Sequence, residues 1–481
     1  MEKFQAYING QLTDAASGEY VRDINPATGE AVYEVVNCTE ADIDRAVDAA
    51  YDAQKSWAKL TIMQRGDYLR KFGQVILAHT EELALILSQE QGKTLEQSRG
   101  EITGAVGLMD YFANSDRHVE GEILPGDNNK ENILIMKEPL GVVACIMPWN
   151  FPIYVLLRKL APALLAGCTV VCKPSGDTPA STLYLGRLMD EVGFPAGVVN
   201  FIAGRGRIVG PAFAKNPKVA MITVTGSTET GQEILRLSAE NICKVSLELG
   251  GKAPAIVMED ADLELAARCV TGARLNNAGQ VCSCAERLYV QESIADKFIE
   301  LMKQNMAAAT YGDGVKDPSL TMGALINKDA VIRIQGMVDR AVEQGAEILM
   351  GGRLPEGPGA FYPPTLLTNV KQDSEIMQHE VFGPVLPIVT FKTAAEALAL
   401  ANDCQYGLTS SLYTNDYNTV MLFSNNIEFG ELYVNRQQGE AYQGFHAGWK
   451  KSGVGGDDGR HGLEEFYQTR TVYLDYQTDL Y

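Results

Sequence analysis

Five short runs rich in valine and isoleucine, separated by helix-like stretches, limit the folds open to this chain more than any other feature. The runs lie at 141–147, 168–173, 197–203, 220–226 and 244–249. The helix-like stretches between them lie near 155–166, 180–191, 207–216 and 228–240. Apolar strands that alternate with helices in this way are buried on both faces, which is typical of a parallel α/β sheet. Ligands of such sheets bind at the carboxyl ends of the strands.

The segments on either side of this region have patterns of their own. Residues 40–118 place apolar and charged side chains at helical spacing, and Thr39 and Asp42 offer capping groups for the first helix. A second α/β stretch runs from 253 to about 435, with strand candidates at 254–258, 287–291, 386–391, 408–413 and 431–434. Gly250-Gly251 is the expected hinge between the two halves, and 465–475 alternates like an exposed or intersubunit strand.

Composition narrows the class of protein. A chain of 481 residues exceeds the usual size of one core, so two or three domains are expected. A formal charge of −20 argues against a nucleic-acid partner and, more weakly, against anionic membranes. We find no signal peptide and no run long enough to span a bilayer. Nine scattered cysteines fit a reducing cytoplasm, and the five histidines have no metal-ligand spacing, so no metal is expected.

Cys282 and Glu248 are the residues whose side chains are best suited to catalysis. Each lies in a glycine-rich turn between predicted elements. A thiolate can attack a carbonyl carbon, and a carboxylate can then activate water against the resulting thioester. The structural alternative for a lone cysteine is packing as a small apolar residue. The pair therefore suggests covalent chemistry on an aldehyde or acyl group, and further motifs must decide.

Three polar residues at predicted strand ends supply those motifs. Two prolines flank Asn150 and fix its backbone, as an oxyanion donor requires, although the amide could instead satisfy its own turn. Lys173 could hold ribose hydroxyls or phosphate, or could be a solvated strand-end lysine. Ser227 opens a helix, where it could bind phosphate or act only as the N-cap.

Together these residues resemble the aldehyde dehydrogenase superfamily in order and spacing, from about residue 7 to the end. The matching segments are Pro148-Trp149-Asn150-Phe151-Pro152, Lys173-Pro174-Ser175, Gly226-Ser227-Thr228 with Gly231, Leu247-Glu248-Leu249-Gly250-Gly251-Lys252, Gly279-Gln280-Val281-Cys282 and Glu380-Val381-Phe382-Gly383-Pro384. The resemblance implies an α/β fold with three parts. They are a Rossmann-type dinucleotide-binding domain (1–118 and 139–250), an α/β catalytic domain (251–450) and a small β oligomerisation flap (119–138 and 464–481). A homodimer or homotetramer is implied as well.

The resemblance also implies a role for each matching residue. Cys282 would be the nucleophile and Glu248 the general base, and Asn150 with the backbone N–H of Cys282 would stabilise the oxyanion. The cofactor, NAD or NADP, would contact Trp149, Lys173, Ser175, Gly176, Gly226, Ser227, Glu380 and Phe382. Within that set, Lys173 would hold the adenine ribose, Ser227 the pyrophosphate and Glu380 the nicotinamide ribose. The reaction would run from a thiohemiacetal through hydride transfer and a thioester to hydrolysis.

One position departs from the family pattern. Members that prefer NAD usually carry glutamate three residues after the lysine, where it grips the ribose and repels a 2′-phosphate. Here Gly176 occupies that position, with Asp177 beside it. The sequence therefore predicts neither strict NAD use nor strict NADP use.

The expected substrate site depends on a narrower resemblance. The run from Asn435 to Trp449, together with Arg158, resembles the lactaldehyde and glycolaldehyde dehydrogenases. Arg158, Ser283, Glu440 and His446 would then form a polar pocket for a small 2-hydroxyaldehyde. The structural alternatives are a helix-surface ion pair for Arg158 and a satisfied loop histidine for His446.

Three further possibilities stay open at this stage. Succinate-semialdehyde oxidation, with Arg158 clamping a carboxylate, is an alternative activity. A catalytically silent structural relative is a more remote one. Cys284, two residues beyond the nucleophile, could capture oxidised Cys282 as a reversible disulfide, or could simply be packed.

Overall fold

The computed structural model describes residues 1–477, and its N-terminal part consists of short strands followed by helices. The elements are β1 (Glu2–Phe4), β2 (Ala6–Ile8), β3 (Gln11–Thr13), β4 (Tyr20–Ile24), β5 (Ala31–Val36), α1 (Glu40–Ala58), α2 (Ile62–Ala78), α3 (Thr80–Gln91) and α4 (Leu95–Asn114). The helical expectation for 40–118 is confirmed as far as Asn114. Asp42 caps α1 as expected, because its carboxylate accepts from the backbone N–H and the hydroxyl of Thr39 at 2.9 and 2.8 Å.

The predicted parallel α/β region follows a hairpin and matches its prediction closely. Its elements are β6 (Glu122–Pro125), β7 (Glu131–Pro139), β8 (Val142–Ile146), α5 (Pro152–Ala166), β9 (Thr169–Lys173), α6 (Ala180–Val192), β10 (Val199–Phe201), α7 (Gly206–Lys215), β11 (Val219–Thr225), α8 (Thr228–Ser238) and β12 (Lys244–Glu248). Strands β12-β11-β8-β9-β10 pair side by side and in parallel. Their carboxyl ends therefore meet at one edge of the sheet, where ligands are expected.

The second α/β part supplies the other half of the molecule. Its elements are β13 (Pro254–Val257), α9 (Leu263–Leu275), β14 (Arg287–Gln291), α10 (Ala295–Ala307), α11 (Lys328–Glu343), β15 (Glu347–Met350), β16 (Thr365–Thr368), α12 (Glu375–Gln378), β17 (Val385–Phe391), α13 (Ala394–Asn402), β18 (Tyr406–Gly407), β19 (Thr409–Tyr413), α14 (Tyr417–Asn426) and β20 (Glu431–Val434). The sheet order is β15-β16-β17-β14-β13-β19-β20, and only β15 runs antiparallel to its neighbour. All five predicted strands are present.

The C-terminal elements return to the earlier sheets. They are β21 (Trp449–Lys450), β22 (Gly453–Val454), α15 (Gly459–Glu464) and β23 (Tyr467–Asp475). Strand β22 joins the edge of the first sheet beside β12, which gives eight strands in the order β22-β12-β11-β8-β9-β10-β2-β3. Strand β23 pairs with β7 in a separate sheet of order β23-β7-β6. Residues 478–481 of the predicted flap lie outside the described residues.

Two hydrophobic cores meet at the Gly250-Gly251 step. One core runs from Phe4 to Leu249 with two C-terminal residues, and the other runs from Ala255 to Phe429. A Cβ on Gly251 would lie 2.5 Å from the carbonyl oxygen of Cys282, so glycine there permits close approach of a loop from the second core. The step thus brings two loops together, and hinge motion stays a prediction. Within the described residues, no helix combines the length and apolar character needed to cross a bilayer.

Candidate active site

A cavity of about 1240 Å³ lies at the carboxyl edge of the first sheet, between the two cores. It gathers nearly all of the residues predicted to act in catalysis, cofactor binding or substrate binding. The predicted residues that line it are Trp149, Asn150, Arg158, Lys173, Ser175, Gly226, Ser227, Glu248, Cys282, Ser283, Glu380, Phe382, Glu440 and His446. Gly176 lies just outside this lining, next to Ser175. Strand ends and loops from distant parts of the chain therefore converge on one site.

Cys282 reaches this cavity from a turn with an unusual backbone. The turn after α9 places Asn277 and Ala278 in the left-handed region, at φ of 47° and 56°. Left-handed residues other than glycine are uncommon, and two in succession are held only where the surroundings demand it. The amide of Asn277 donates to the carbonyl oxygen of Asn150 at 3.0 Å and thereby ties this turn to the Asn150 turn.

Asn150 lies in the same wall, just beyond β8. Its side-chain amide donates to the carbonyl oxygen of Gln280 at 2.9 Å, so the amide is not merely satisfying its own turn. The backbone carbonyl of Asn150 accepts from Lys93 at 2.7 Å. Lys93 is buried and pairs with Glu101, whose other oxygen accepts from the backbone N–H of Ile153 at 2.8 Å. The amide is fixed in place, and its second N–H is a group that an oxyanion could use.

Glu248 is the last residue of β12, and its carboxylate is buried without a hydrogen-bond donor. Neither of its oxygens has a partner among the described residues, and the nitrogen Nε2 of His446 lies 3.7 Å from Oε2. Burial raises the pKa of Glu248 to about 8, against the opposing effect of the His446 charge. A buried carboxyl group with no donor keeps its basicity, which suits a general base for water.

His446 lies at the centre of a cluster of carboxylates. Its Nδ1 is 3.1 Å from Glu431 and 3.5 Å from Glu440, and its Nε2 faces Glu248. Burial alone would lower the pKa of His446, but Glu440, the Cys282 side chain and Glu431 raise it well above its usual value. The ring is buried and lies against Glu431, which fits both a satisfied histidine and a residue of the substrate pocket.

Glu431 is a member of this cluster that the sequence did not reveal. It begins β20, about fifteen positions before His446, and nothing in its local pattern distinguishes it from a surface glutamate. The ligand-type atoms of Glu431, Glu440 and His446 all lie within 4.8 Å of one another. A separation of 3.1 Å is that of an N–H···O hydrogen bond, so a proton on Nδ1 accounts for the cluster.

Arg158 lies on α5, lines the cavity and is buried. Its guanidinium donates to both carboxylate oxygens of Asp458, at 3.1 and 2.7 Å, and lies 4.0 Å from Glu440. The sequence alternative placed an ion pair of Arg158 on the helix surface. That location is wrong, because the pair with Asp458 is buried. Asp458 was missed, since it lies 300 positions along the chain. The carboxylate of Glu440 interacts in turn with the Ser283 side chain.

Lys173 ends β9 and lines the same cavity. It is buried rather than solvated, so the strand-end alternative is wrong. Burial lowers the pKa of its ammonium group to about 8, although Asp177 acts in the other direction. A Cβ added to the nearby Gly176 would meet nothing within 4 Å, so there is open space beside the lysine.

Ser227 is the N-cap of α8, as one interpretation of the sequence proposed. Its hydroxyl accepts from the backbone N–H of Thr230 at 3.3 Å. The residue also lines the cavity, so the N-terminus of α8 lies at the cavity wall. Capping and anion binding are compatible there, because several backbone N–H groups at a helix N-terminus are left without partners.

Glu380, Phe382 and Trp149 form the part of the wall near the Gly250-Gly251 step. Glu380 accepts from the backbone N–H of Gly251 at 2.8 Å, and burial followed by the nearby Glu286 raises its pKa to about 7. The rings of Trp149 and Phe382 meet edge to face at 5.3 Å. Phe382 has φ of 52°, which is strained for an aromatic residue and typical of a functional turn.

Cys284 lies beneath the nucleophile turn and is buried. Arg274 donates to its sulfur at 3.3 Å, yet burial outweighs that contact and raises the pKa of the thiol to about 12. The thiol is therefore protonated at neutral pH and would attack an oxidised Cys282 slowly. This favours packing over a redox role, and the disulfide stays a prediction.

Comparison with known proteins gives the chain a family context. Residues 12–472 match the model of the aldehyde dehydrogenase family. Lactaldehyde dehydrogenase of Escherichia coli (strain K12) is 46% identical over 97% of this chain and 98% of its own length. A crystal structure of lactaldehyde dehydrogenase from Escherichia coli superposes with a TM-score of 0.97, covering 98% of this chain and 99% of that one.

Two other relatives have different substrates. The 3,6-anhydro-alpha-L-galactose dehydrogenase of Vibrio sp. (strain EJY3) is 42% identical over 99% of this chain and 100% of its own. The NADP-dependent succinate-semialdehyde dehydrogenase GabD of Escherichia coli (strain K12) is 37% identical over 98% of this chain and 97% of its own.

Proposed function

The chain belongs to the aldehyde dehydrogenase family, and we propose that its substrate is a small 2-hydroxyaldehyde of the lactaldehyde or glycolaldehyde type. Oxidation of an aldehyde with NAD or NADP is the reaction of this family. The choice of substrate and the roles of individual residues depend on the geometry of the cavity.

Cys282 is the proposed nucleophile. Its thiolate adds to the aldehyde carbon, and the carbonyl electron pair moves to oxygen, where the amide of Asn150 and the backbone N–H of Cys282 donate hydrogen bonds. A bound NAD(P) would supply the hydride acceptor that this adduct needs to become a thioester. Glu248 then removes a proton from water, the resulting hydroxide attacks the thioester, and the acid leaves as the thiolate is restored. The unpartnered, buried carboxylate of Glu248 supports this role.

The other end of the cavity fits a dinucleotide. Lys173, with Ser175 and Gly176 beside it, would hold the adenine ribose, and Gly226 and Ser227 at the N-terminus of α8 would hold the pyrophosphate. Glu380 would hold the nicotinamide ribose next to Phe382 and Trp149. The buried cation of Lys173 and the backbone N–H groups at the N-terminus of α8 are donors that suit such a group.

The ion pair of Arg158 carries the proposal for the substrate. Asp458 and Glu440 already balance its charge within the buried site, so Arg158 is poorly placed to clamp a substrate carboxylate. Glu440 and His446 line the cavity and can serve as hydrogen-bond partners for a substrate hydroxyl group. A pocket built this way favours an aldehyde with a hydroxyl on the neighbouring carbon.

The sequence identities of the relatives also favour a 2-hydroxyaldehyde substrate. Lactaldehyde and 3,6-anhydrogalactose both carry a hydroxyl next to the aldehyde, and the dehydrogenases named for them are more similar to this chain than the semialdehyde dehydrogenase is. A silent structural relative is disfavoured because Cys282, Glu248 and Asn150 share one cavity. All nine cysteines are free, which supports the expected reducing cytoplasm.

A substrate panel tests this proposal. Lactaldehyde and glycolaldehyde are compared with propanal and acetaldehyde, which lack only the hydroxyl, and with succinate semialdehyde, using NAD and NADP in turn. We expect kcat/KM to fall about a hundredfold or more when the hydroxyl is missing, because buried polar groups are then left unpaired. Cys282→Ala is the control for the nucleophile and should bind cofactor without turnover. A preference for succinate semialdehyde would overturn the proposal.

A further inference from the structure

A buried ion pair between Lys93 and Glu101 holds the turn that carries Asn150, yet neither residue has a part in the reaction as described so far. Lys93 lies between α3 and α4, and Glu101 lies on α4. Their side chains are fully buried, with the ammonium nitrogen 2.5 Å from a carboxylate oxygen. The ammonium group also donates to the backbone carbonyl of Asn150 at 2.7 Å and lies 4.1 Å from the centre of the Phe151 ring. One cation therefore joins α4 to the Asn150 turn.

Glu101 holds the other side of the same turn. Its second oxygen accepts from the backbone N–H groups of Ile153 and Tyr154, at 2.8 and 3.1 Å. These are the second and third residues of α5, whose own N-cap residue, Phe151, makes no side-chain cap. An N-cap side chain usually satisfies N–H groups at these positions, so Glu101 caps α5 from a different helix. The pair thus fixes both ends of the segment from Asn150 to Tyr154.

The nucleophile turn after α9 holds the opposite side of Asn150. The carbonyl oxygen that Lys93 contacts also accepts from the side-chain amide of Asn277 at 3.0 Å. The side-chain amide of Asn150 donates to the carbonyl oxygen of Gln280 at 2.9 Å. Because the carbonyl and the side chain belong to one residue, the donors that orient the carbonyl also set the direction of the amide.

The use of charge distinguishes this pair from ordinary packing. Neutral side chains of similar size could satisfy the same carbonyl and N–H groups, whereas two buried charges lose their hydration. Hydrogen bonds with a charged partner are shorter and roughly twice as strong as neutral ones, so they hold their partners more firmly. An oxyanion donor needs such firmness, because it stabilises the developing charge best when it is already in place.

We infer that Lys93 and Glu101 are positioning residues that fix the amide of Asn150 in the geometry that the oxyanion requires. When the sulfur of Cys282 adds to the aldehyde carbon, the carbonyl electron pair moves to oxygen, and the held amide donates to that oxygen. The ion pair itself exchanges no proton with the substrate. This inference rests on the proposed roles of Cys282 and Asn150 but not on the proposed substrate.

The main test replaces both charges at once. Lys93→Met/Glu101→Gln keeps the side chains close to their original size and leaves neither charge without its partner, so the protein should fold. The donor to the Asn150 carbonyl is lost. We expect kcat/KM for the fastest aldehyde of the panel to fall about tenfold to a hundredfold, because a small displacement of a positioned group is enough to slow the reaction.

Two other measurements on this variant should not change. The Kd values for NAD and NADP do not depend on the Asn150 amide, and alkylation of Cys282 by iodoacetamide in the cofactor-free protein forms no oxyanion. Arg99→Met/Glu81→Gln is the matched control, because that pair joins the same two helices, α3 and α4, at the surface. The control should leave kcat/KM, the Kd values and the alkylation rate at their wild-type levels.

Coupling to Asn150 separates positioning from a structural role. Asn150→Ala alone should lower kcat/KM about a hundredfold or more, and adding the two charge replacements should lower it by less than about twofold further. If Lys93 touched the substrate, or if the pair only supported the fold around Cys282, the two losses would multiply. Multiplied losses, slower alkylation of the double variant, or wild-type kcat/KM in the double variant would each overturn the inference.

Glu101→Asp provides a second test that does not depend on the folding of the double variant. It keeps the buried charge but shortens the side chain by one methylene group, which draws the carboxylate away from Lys93 and from α5. We expect kcat/KM to fall in this variant only when Asn150 is present, and an equal fall in the Asn150→Ala background would contradict the inference. Full turnover in Cys282→Ala would remove the proposed nucleophile alone, whereas full turnover in Asn150→Ala would remove the oxyanion role and this inference with it.

Discussion

Glu248 combines burial with the absence of a hydrogen-bond partner, and this combination has a consequence for stability. Its folded pKa of about 8 lies well above the value of about 4.3 for an unfolded glutamate. A group with a raised folded pKa contributes stability below the unfolded pKa, and that contribution is lost as pH rises toward the folded pKa. The wild type should therefore lose stability between about pH 4.5 and 8 on account of this one carboxyl.

Glu248→Gln should remove that loss. We expect the variant to have a higher Tm than the wild type at pH 8, with the difference shrinking toward pH 5, because an amide needs no proton to be neutral. Calorimetry at several pH values measures this, with Glu264→Gln as a control on an exposed carboxylate. A Tm difference that does not change with pH would show that Glu248 is not a buried, titrating group.

Gly176 offers a prediction on cofactor choice. The position is open, since a Cβ there meets nothing within 4 Å, and it follows Lys173 at the distance where related enzymes carry glutamate. Gly176→Glu should lower kcat/KM with NADP by about tenfold or more relative to NAD, because the new carboxylate would face the 2′-phosphate. Gly176→Gln controls for size. An unchanged NADP-to-NAD ratio would mean that position 176 does not face the adenine ribose.

At the scale of elements, a buried ion cluster joins the nucleophile turn to the strained turn at Phe382. Glu286 accepts from Lys252 at 2.6 Å and Arg274 at 2.8 Å, and from the backbone N–H groups of Val381 and Phe382. Burial alone would raise the pKa of Glu286, but Arg274 and Lys252 lower it to about 2. The Glu286 carboxylate therefore stays ionised at neutral pH.

Glu286→Gln should leave two buried cations without their counter-charge. We expect a loss of about 3–5 kcal/mol in the free energy of unfolding, since removing one partner of a buried pair strands the other. Urea denaturation at pH 7 measures the loss, and Glu375→Gln, which breaks a more exposed pair with Arg340, should cost much less. Similar losses in both variants would contradict a special role for the buried cluster.

The elements that the sequence predicted well are those whose own residues carry the signal. Runs such as 141–147 and 168–173 are apolar throughout because the central strands are buried on both faces. The five strands before residue 37 were not predicted, because they are only three to six residues long and too short for a clear pattern. Strands β15 and β16 were missed too, since β15 lies at an exposed edge of the second sheet.

At the scale of the whole molecule, the site also contains residues that local sequence predicts and residues that it does not. Asn150, Lys173, Ser227 and Glu248 could be placed together because each lies at or just after the end of a parallel strand of one sheet. The partners of Arg158 and His446 could not be predicted. Asp458 and Glu431 contact these two side chains only because distant segments pack together, and no local sequence pattern records such contacts.

The sheet formed by β6, β7 and β23 has an unpaired strand edge and exposed apolar side chains, the features that a subunit interface would cover. Strand β23 pairs with β7 over nine residues, and its other edge has no neighbouring strand among the described residues. Leu124, Ile133 and Tyr473 lie opposite one another and share one face, and Tyr473 is 67% exposed. A long, open edge beside exposed apolar side chains is typical of a subunit interface.

We therefore expect this sheet, the predicted flap, to hold the proposed homodimer or homotetramer together. Tyr473→Glu places a charge on the shared face and should shift sedimentation velocity toward a smaller species, while circular dichroism stays unchanged because the side chain lies outside both cores. Ile332→Glu is the control, since Ile332 is 65% exposed on α11, away from this sheet. If Tyr473→Glu sediments like the wild type, the subunits meet elsewhere, because a buried, unpaired carboxylate would weaken any interface built on this face.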